Sequence, residues 1–217
     1  MANLTVTLIL LLAAVVVGYL LGSLNAAIIV SRALKGEDIR NFGSGNAGMT
    51  NMLRTYGKGP AALTAVVDFA KAAVAIVLAR LAVAHFGLEF NIDIGYIAGI
   101  AAMLGHIFPI YFGFKGGKGV MTALGVMLCV NPLVFLIVAG ASMLLILITR
   151  YVSVGSILGS LSLPFVTWAV LNWRGQPPMH DALLAGVIGL LIIVMHKENI
   201  KRLLSGTENR FGRKGRS

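Results

Sequence analysis

The chain has 217 residues, 58% of them hydrophobic and 12% charged, with a mean hydropathy of +0.88. A soluble domain of that length could not cover so much apolar surface, so the bilayer is expected to be its solvent. The single cysteine, Cys129, excludes an intrachain disulfide and a cysteine-cluster metal site. The net charge of +10 sits in short loops between apolar runs and in a tail, which suits lipid headgroups and anionic substrates and argues against nucleic acid.

Residues 1–24 carry no basic segment ahead of their apolar run, which is too long for a signal peptide and reads as a first span over 4–24. Further apolar runs follow at 60–83, 92–112, 119–130, 133–149, 153–171 and 182–195. A span needs about 20 residues, so the run at 119–130 is short, and only Asn131-Pro132 separates it from the next. Proline could merely kink one longer helix there. Charge favours a break. With seven spans, Arg32, Lys35, Arg40, Arg54, Lys58, Lys115, Lys118, Arg150 and the basic tail from Lys197 to Arg216 share one side. With six, Arg150 and the tail cross over. The positive-inside rule therefore predicts an all-α integral membrane protein. It would be a seven-helix transmembrane bundle with short interfacial helices, N-terminus outside and C-terminus cytoplasmic. The short helix needs protein around its ends. No repeat or low-complexity segment interrupts the chain, so residues 1–217 are expected to form one domain. Within the second span, Asp68 and Lys71 lie one turn apart and should pair, as a structural ion pair or in support of a site.

Three polar segments fall on the predicted cytoplasmic side. The first contains Gly43-Ser44-Gly45-Asn46, followed by Met49, Met52, Leu53 and Tyr56 at helical spacing with Thr50, Asn51, Arg54 and Thr55 elsewhere. That pattern predicts an amphipathic helix in the membrane interface. Its start could hold an anion with hydroxyl and amide donors, or could simply be a capping turn. The second runs from Gly105-His106 to Lys115-Gly116-Gly117-Lys118-Gly119. Glycines there admit close backbone approach, and lysines at a helix start make an anion site, with topology anchoring as the alternative. It is not a nucleotide-binding P-loop: Phe112 stands at the leading glycine position and Gly119 replaces the Ser or Thr. The third, from His196 to Glu208, places His196 and Asn199 on one helical face. Ser153 and Ser156 add hydroxyls at the same level, as ligand contacts or as helix caps.

Together these segments resemble the bacterial acyl-phosphate:glycerol-3-phosphate acyltransferases, the PlsY family. The similarity covers nearly the whole chain through GSGNAGMTNMLR, GHIFPIYFGFKGGKGV and HKENIKRLLSGTE, in the family's order. It implies transfer of a fatty acyl group from acyl phosphate to the 1-hydroxyl of glycerol 3-phosphate, at the cytoplasmic face of a bacterial inner membrane, without cofactor, metal or obligate protein partner. By the same resemblance Ser44, Arg54, Lys118 and His196 are the catalytic candidates. Gly43, Gly45, Asn46, Gly116, Gly117, Ser153 and Asn199 are the substrate-binding ones. Relatives often read Arg-His-Arg in the third motif, whereas Met195 and Lys197 flank His196 here.

An acyl phosphate is a mixed anhydride, already activated, so orientation and oxyanion stabilisation could supply much of the catalysis. The His-x4-Asp pair of other glycerolipid acyltransferases is missing: Phe90, Tyr111, Ala185 and Lys201 stand five residues after the four histidines. His196 or a substrate phosphate oxygen is expected to take the proton. Gly95, Gly99, Gly105, Gly125, Gly155 and Gly159 read as close helix contacts, the alternative being an acyl groove lined by Met103, Met121 or Met127. The rival class is a transporter for a phosphate-bearing anion, since broken helices with glycine-rich starts serve there too. Charges gathered at one face, and the lack of an inverted repeat, weigh against it.

Overall fold

The structure, a computed structural model, describes residues 4–210; Arg213, Lys214 and Arg216 of the basic tail lie outside the described residues. Among those described there are ten α-helices, two one-turn 3-10 helices and no strand. The α-helices are α1 Leu4–Ser23, α2 Ala26–Lys35, α3 Met49–Tyr56, α4 Lys58–His85, α5 Ile94–Ile107, α6 Val120–Val130, α7 Pro132–Thr149, α8 Val152–Trp173, α9 Met179–Met195 and α10 Lys197–Leu204. Every apolar run expected to span is largely helical, the one at 92–112 being interrupted at Phe108-Pro109.

Five stretches are long and apolar enough to cross a bilayer: Leu4–Lys35, α4, Ile94–Phe112, α7 and α8. Helices α9 and α10 add a sixth if they count as one span, bent by 59°. The chain is thus a multi-pass membrane protein. Helix α6 is apolar but has only 11 residues. It does not run into α7: the Asn131 side chain accepts a hydrogen bond from the Val134 N–H, and Pro132 occupies the first turn. That is a helix start, not a kink.

The helices group into two compact units, one ending at Val130 and the other beginning at Asn131. In the first, α1 lies against α5 backbone to backbone. A Cβ on Gly22 would stand 2.0 Å from the Ala102 carbonyl oxygen, and one on Gly105 2.1 Å from that of Tyr19. Lipid tails are as apolar as leucine, so helices gain little by hiding apolar surface from them and associate by tight packing instead. The other glycines read as helix contacts behave likewise: Gly99 meets Val126 and Gly125 meets the Phe69 carbonyl. Met103 and Met127 are fully buried in this packing and line no open groove. Arg80 on α4 pairs with Asp93, the N-cap of α5, and donates to the Cys129 carbonyl at 3.0 Å. It thereby satisfies the end of short α6, as the bilayer demands. In the second unit α8 packs between α7 and α9, with Gly159 against Ser142 and Gly189 against the Ser160 carbonyl.

One expectation is corrected. The apolar stripe of α3 does not rest on lipid. Met52 is wholly buried among Ala27, Ile28, Val30, Ile39, Ala47 and Ala61, with Met49, Leu53 and Tyr56 packed at its edge. Helix α2, capped by Asn25 and ended by left-handed Gly36 (φ 68), supplies much of that cover. The sequence assigned no element to this stretch. Periodicity says that a face is covered, not by what.

Gly105→Ala should cost about 1–3 kcal/mol, the usual penalty for forcing extra atoms into a packed contact. Gly140→Ala, with nothing within 4 Å of the added Cβ, should leave the melting temperature in detergent unchanged or slightly raised.

Candidate functional site

In the first unit, two loops are tied together by Arg40. Its Nε and Nη2 donate to Asp38 at 2.9 and 2.8 Å, and its Nη1 reaches across to the carbonyls of Phe112 (2.7 Å) and Lys115 (3.0 Å). Arg32 also pairs with Asp38 and lies 5.5 Å over the Phe112 ring. Hydrogen bonding from Arg40 holds the Asp38 carboxyl well below the usual carboxylate range, against the opposing pull of partial burial.

The Ser44 loop is organised from below by Asn51, which is buried. Its Oδ1 accepts from the Ser44 N–H at 2.9 Å, and its Nδ2 donates to the carbonyls of Ile39 and Phe42. Gly43 (φ 58) is left-handed, and a Cβ there would strike Asn51 Oδ1. Helix α3 begins only at Met49. The backbone donors expected to cradle an anion at Gly43–Asn46 are therefore engaged elsewhere in part: Ser44 N–H with Asn51, Gly45 N–H with the Phe42 carbonyl. The Ser44 side chain is exposed, Asn46 is half-buried, and Arg54 is exposed in the last turn of α3.

A parallel correction applies to the lysine-glycine run. The Gly116 and Gly117 N–H groups donate to the carbonyls of Ile107 and His106, at 3.0 and 3.1 Å, so they do not point at a ligand. What these glycines supply is room. A Cβ on Gly116 would lie 2.0 Å from the His106 carbonyl oxygen, and one on Gly117 2.1 Å from His106 Nε2 and 2.6 Å from the Ala47 carbonyl. The Ser44–Ala47 and Lys115–Lys118 segments thus meet. Half-buried Lys118 comes directly after, two residues before α6.

In the second unit Glu208 is the hub. One carboxylate oxygen accepts from Ser153 Oγ (3.0 Å) and Asn199 Nδ2 (2.7 Å), the other from Arg202 Nε (2.7 Å). Burial pushes this carboxyl up, but the bonds from Asn199, Arg202 and Ser153 outweigh it and leave Glu208 below its ordinary value. Ser156 instead bonds back to the Val152 carbonyl within its own helix. His196, buried at the α9–α10 bend, places Nδ1 2.8 Å from the Ile192 carbonyl. A carbonyl only accepts, so Nδ1 carries the proton and Nε2 the lone pair of the neutral ring. Glu198 is exposed and pairs with Lys201. Within this unit Ser153, Asn199 and Arg202 converge on one carboxylate. Sequence reading missed Asn51, Arg40 and Glu208 as organisers, although all three lie inside the polar segments it singled out.

A family model described as glycerol-3-phosphate acyltransferase matches residues 12–206. The chain belongs to this family. Relatives of that description from Chlorobaculum parvum and Chlorobaculum tepidum are 41% and 42% identical over 227 residues, each match covering 94% of this chain and 98% of the relative. Among solved structures, the glycerol 3-phosphate form of PlsY, an integral membrane glycerol 3-phosphate acyltransferase, superposes with a TM-score of 0.80 at 42% identity, covering 93% of this chain and 96% of that one. Its lysophosphatidic acid form gives 0.76 at 39% identity. The chain is a PlsY-family member, as the resemblance implied.

Replacing the Glu208 hub tests the second unit of this PlsY-family chain. Glu208→Gln should destabilise it by about 1–3 kcal/mol at pH 7, because an amide cannot satisfy the Arg202 guanidinium on one side and two donors on the other. The folded carboxyl titrates below its unfolded value, so its contribution is complete above about pH 4.3 and is lost as pH falls through the folded value. Melting curves should show this acid-side loss in the wild type and a flatter profile in the variant.

Proposed function

We propose that the protein transfers a fatty acyl group from an acyl phosphate to the 1-hydroxyl of glycerol 3-phosphate, giving lysophosphatidic acid and inorganic phosphate. The reaction is placed at the cytoplasmic face of a bacterial inner membrane, as the first acylation of phospholipid synthesis. The observation that carries this reading is the match to a structure holding glycerol 3-phosphate, at 42% identity over 93% of the chain. The family model takes in nearly all of the three polar segments. In the same reading α6 is a seventh, short span, the N-terminus is outside, the C-terminus cytoplasmic, and residues 1–217 act as one acyltransferase domain.

The hydroxyl oxygen of glycerol 3-phosphate attacks the acyl carbonyl carbon. The bond from that carbon to the phosphate oxygen breaks, and phosphate leaves with the electron pair. The charge needing balance sits on two phosphates and on the carbonyl oxygen as it becomes an oxyanion. Lys118 and Arg54 are the cations assigned to it, with the Ser44 hydroxyl. Ser153, Asn199 and Asn46 are assigned polar contacts to substrate, and Gly43, Gly45, Gly116 and Gly117 the clearance that lets the loops reach it. The proton passes to His196 or to a phosphate oxygen. The Ile192 carbonyl leaves His196 Nε2 as the basic atom of the neutral ring, which supports the first choice.

Purified protein in lipid, given palmitoyl phosphate and glycerol 3-phosphate, should release lysophosphatidic acid and phosphate, while palmitoyl-CoA should fail as donor. Equal use of the thioester would overturn the donor assignment. Absence of product with phosphate uptake into sealed vesicles would favour transport. His196→Ala should lower kcat by about 10²-fold or more, the range for a general base. A raised KM at nearly constant kcat would give the proton to the substrate phosphate.

A further inference from the structure

Asp68, Lys71 and His106 form a cluster of ionisable side chains inside the first unit, each less than a tenth exposed. Lys71 Nζ lies 2.8 Å from Asp68 Oδ1, 2.9 Å from His106 Nδ1 and 3.2 Å from the Leu24 carbonyl oxygen. An ammonium has three protons, and these are three acceptors. When the ammonium is charged, His106 Nδ1 accepts from its third N–H, and in either tautomer Lys71 and Asp68 hold the Nδ1 edge and set the plane of the ring. Its Nδ1 also stands 3.4 Å from Asp68 Oδ1. The Nε2 edge faces Gly117, where a Cβ would come within 2.1 Å. The same turn of chain is bonded to His106 through its backbone, Gly117 N–H to the His106 carbonyl. From the other side, Asn25 Nδ2 holds the Ala47 carbonyl that borders Gly117. Charges at this depth are costly and persist where they do something. The trio touches the break after α1 through Lys71 and the residue before Lys118 through His106.

We propose that His106, oriented by Lys71 and Asp68, is a positioning residue for phosphate recognition: its ring is the floor on which Gly117 rests, and it thereby sets where the Lys118 ammonium stands. The ligand is a phosphate monoester dianion or an acyl phosphate, the two sharing the same terminal oxygens. The inference rests on the proposed acyl transfer and deepens it.

His106→Asn keeps an acceptor near the Nδ1 position for Lys71 and removes the ring edge under Gly117. It should raise KM about tenfold for glycerol 3-phosphate or for palmitoyl phosphate, each measured at saturating partner substrate, with kcat changed less than about threefold. Lys71→Met combined with Asp68→Asn leaves no buried charge unpaired but frees the ring. It should show the same KM rise while keeping a near-normal melting temperature. Gly117→Ala should raise the same KM, and its effect with His106→Asn should fall short of the product of the two single effects, because both act through one contact. A folded His106→Asn protein or a folded double variant with both KM values unchanged would overturn the proposal, as would fully multiplicative effects with Gly117→Ala. If His106→Asn fails to fold, the double variant carries the same test. Stabilisation of the melting temperature by glycerol 3-phosphate and by palmitoyl phosphate, each alone, is followed in parallel. Loss of that shift in the variants supports the positioning role whether or not turnover is seen. A wild type that shows the shift but no acyl transfer would sink the proposed reaction and leave the His106 result standing.

Discussion

Helices α1 and α5 meet backbone to backbone, and that contact sets where the polar loops of the first unit begin. Gly18 and Gly22 on one helix and Gly105 on the other permit it, with carbonyl oxygens where side chains would otherwise stand. The ends of the two helices then arrive together. Tyr19 donates to the Phe108 carbonyl at 2.7 Å, the Ile110 N–H reaches Ser23 Oγ at 3.4 Å, and the Leu24 carbonyl at the break after α1 faces Lys71. The loop that carries Lys118 starts from this junction, so its origin is fixed by helix packing.

A second constraint is the need to satisfy every backbone group where water is scarce. This chain breaks its helices repeatedly, and polar side chains meet the broken ends. Asn25 and Asn131 cap α2 and α7. Asn51 closes the Ser44 loop, Lys71 takes the Leu24 carbonyl, and Arg80 that of Cys129. Arg40 serves two carbonyls of the lysine-glycine loop at once. Loops held this firmly lose little freedom when a ligand arrives, which is the physical meaning of a preorganised site.

The same demand changes the chemistry assigned to the glycines. With the Gly116 and Gly117 N–H groups bonded to the end of α5, the proposed reaction assigns its anion contacts to side chains instead: the ammonium of Lys118, the guanidinium of Arg54 and the hydroxyl of Ser44. Glycine is required there because His106 and the Ala47 carbonyl occupy the space a Cβ would need. In the second unit one carboxylate, Glu208, does the organising and collects Ser153, Asn199 and Arg202.

The sequence alone determined whatever depends on neighbours along the chain. Hydropathy marked each helix that became a span candidate, because burial in lipid is written residue by residue into a continuous run. Asn131-Pro132 marked where α6 and α7 could part, and the count of basic residues chose a break over a kink; the three-residue spacing of Asp68 and Lys71 announced their pairing, a one-turn effect. The ordered motifs announced the family. Tertiary structure alone decided that Met52 is covered by α2 and α4, that Asn51 ties Ser44 to Ile39, that His106 sits beneath Gly117 with Lys71 at its back, and that Ser153 meets Glu208 across 55 residues of chain. Those contacts join elements far apart in sequence. A single chain records that such a polar group must find a partner, but which one it finds is settled only when the helices pack.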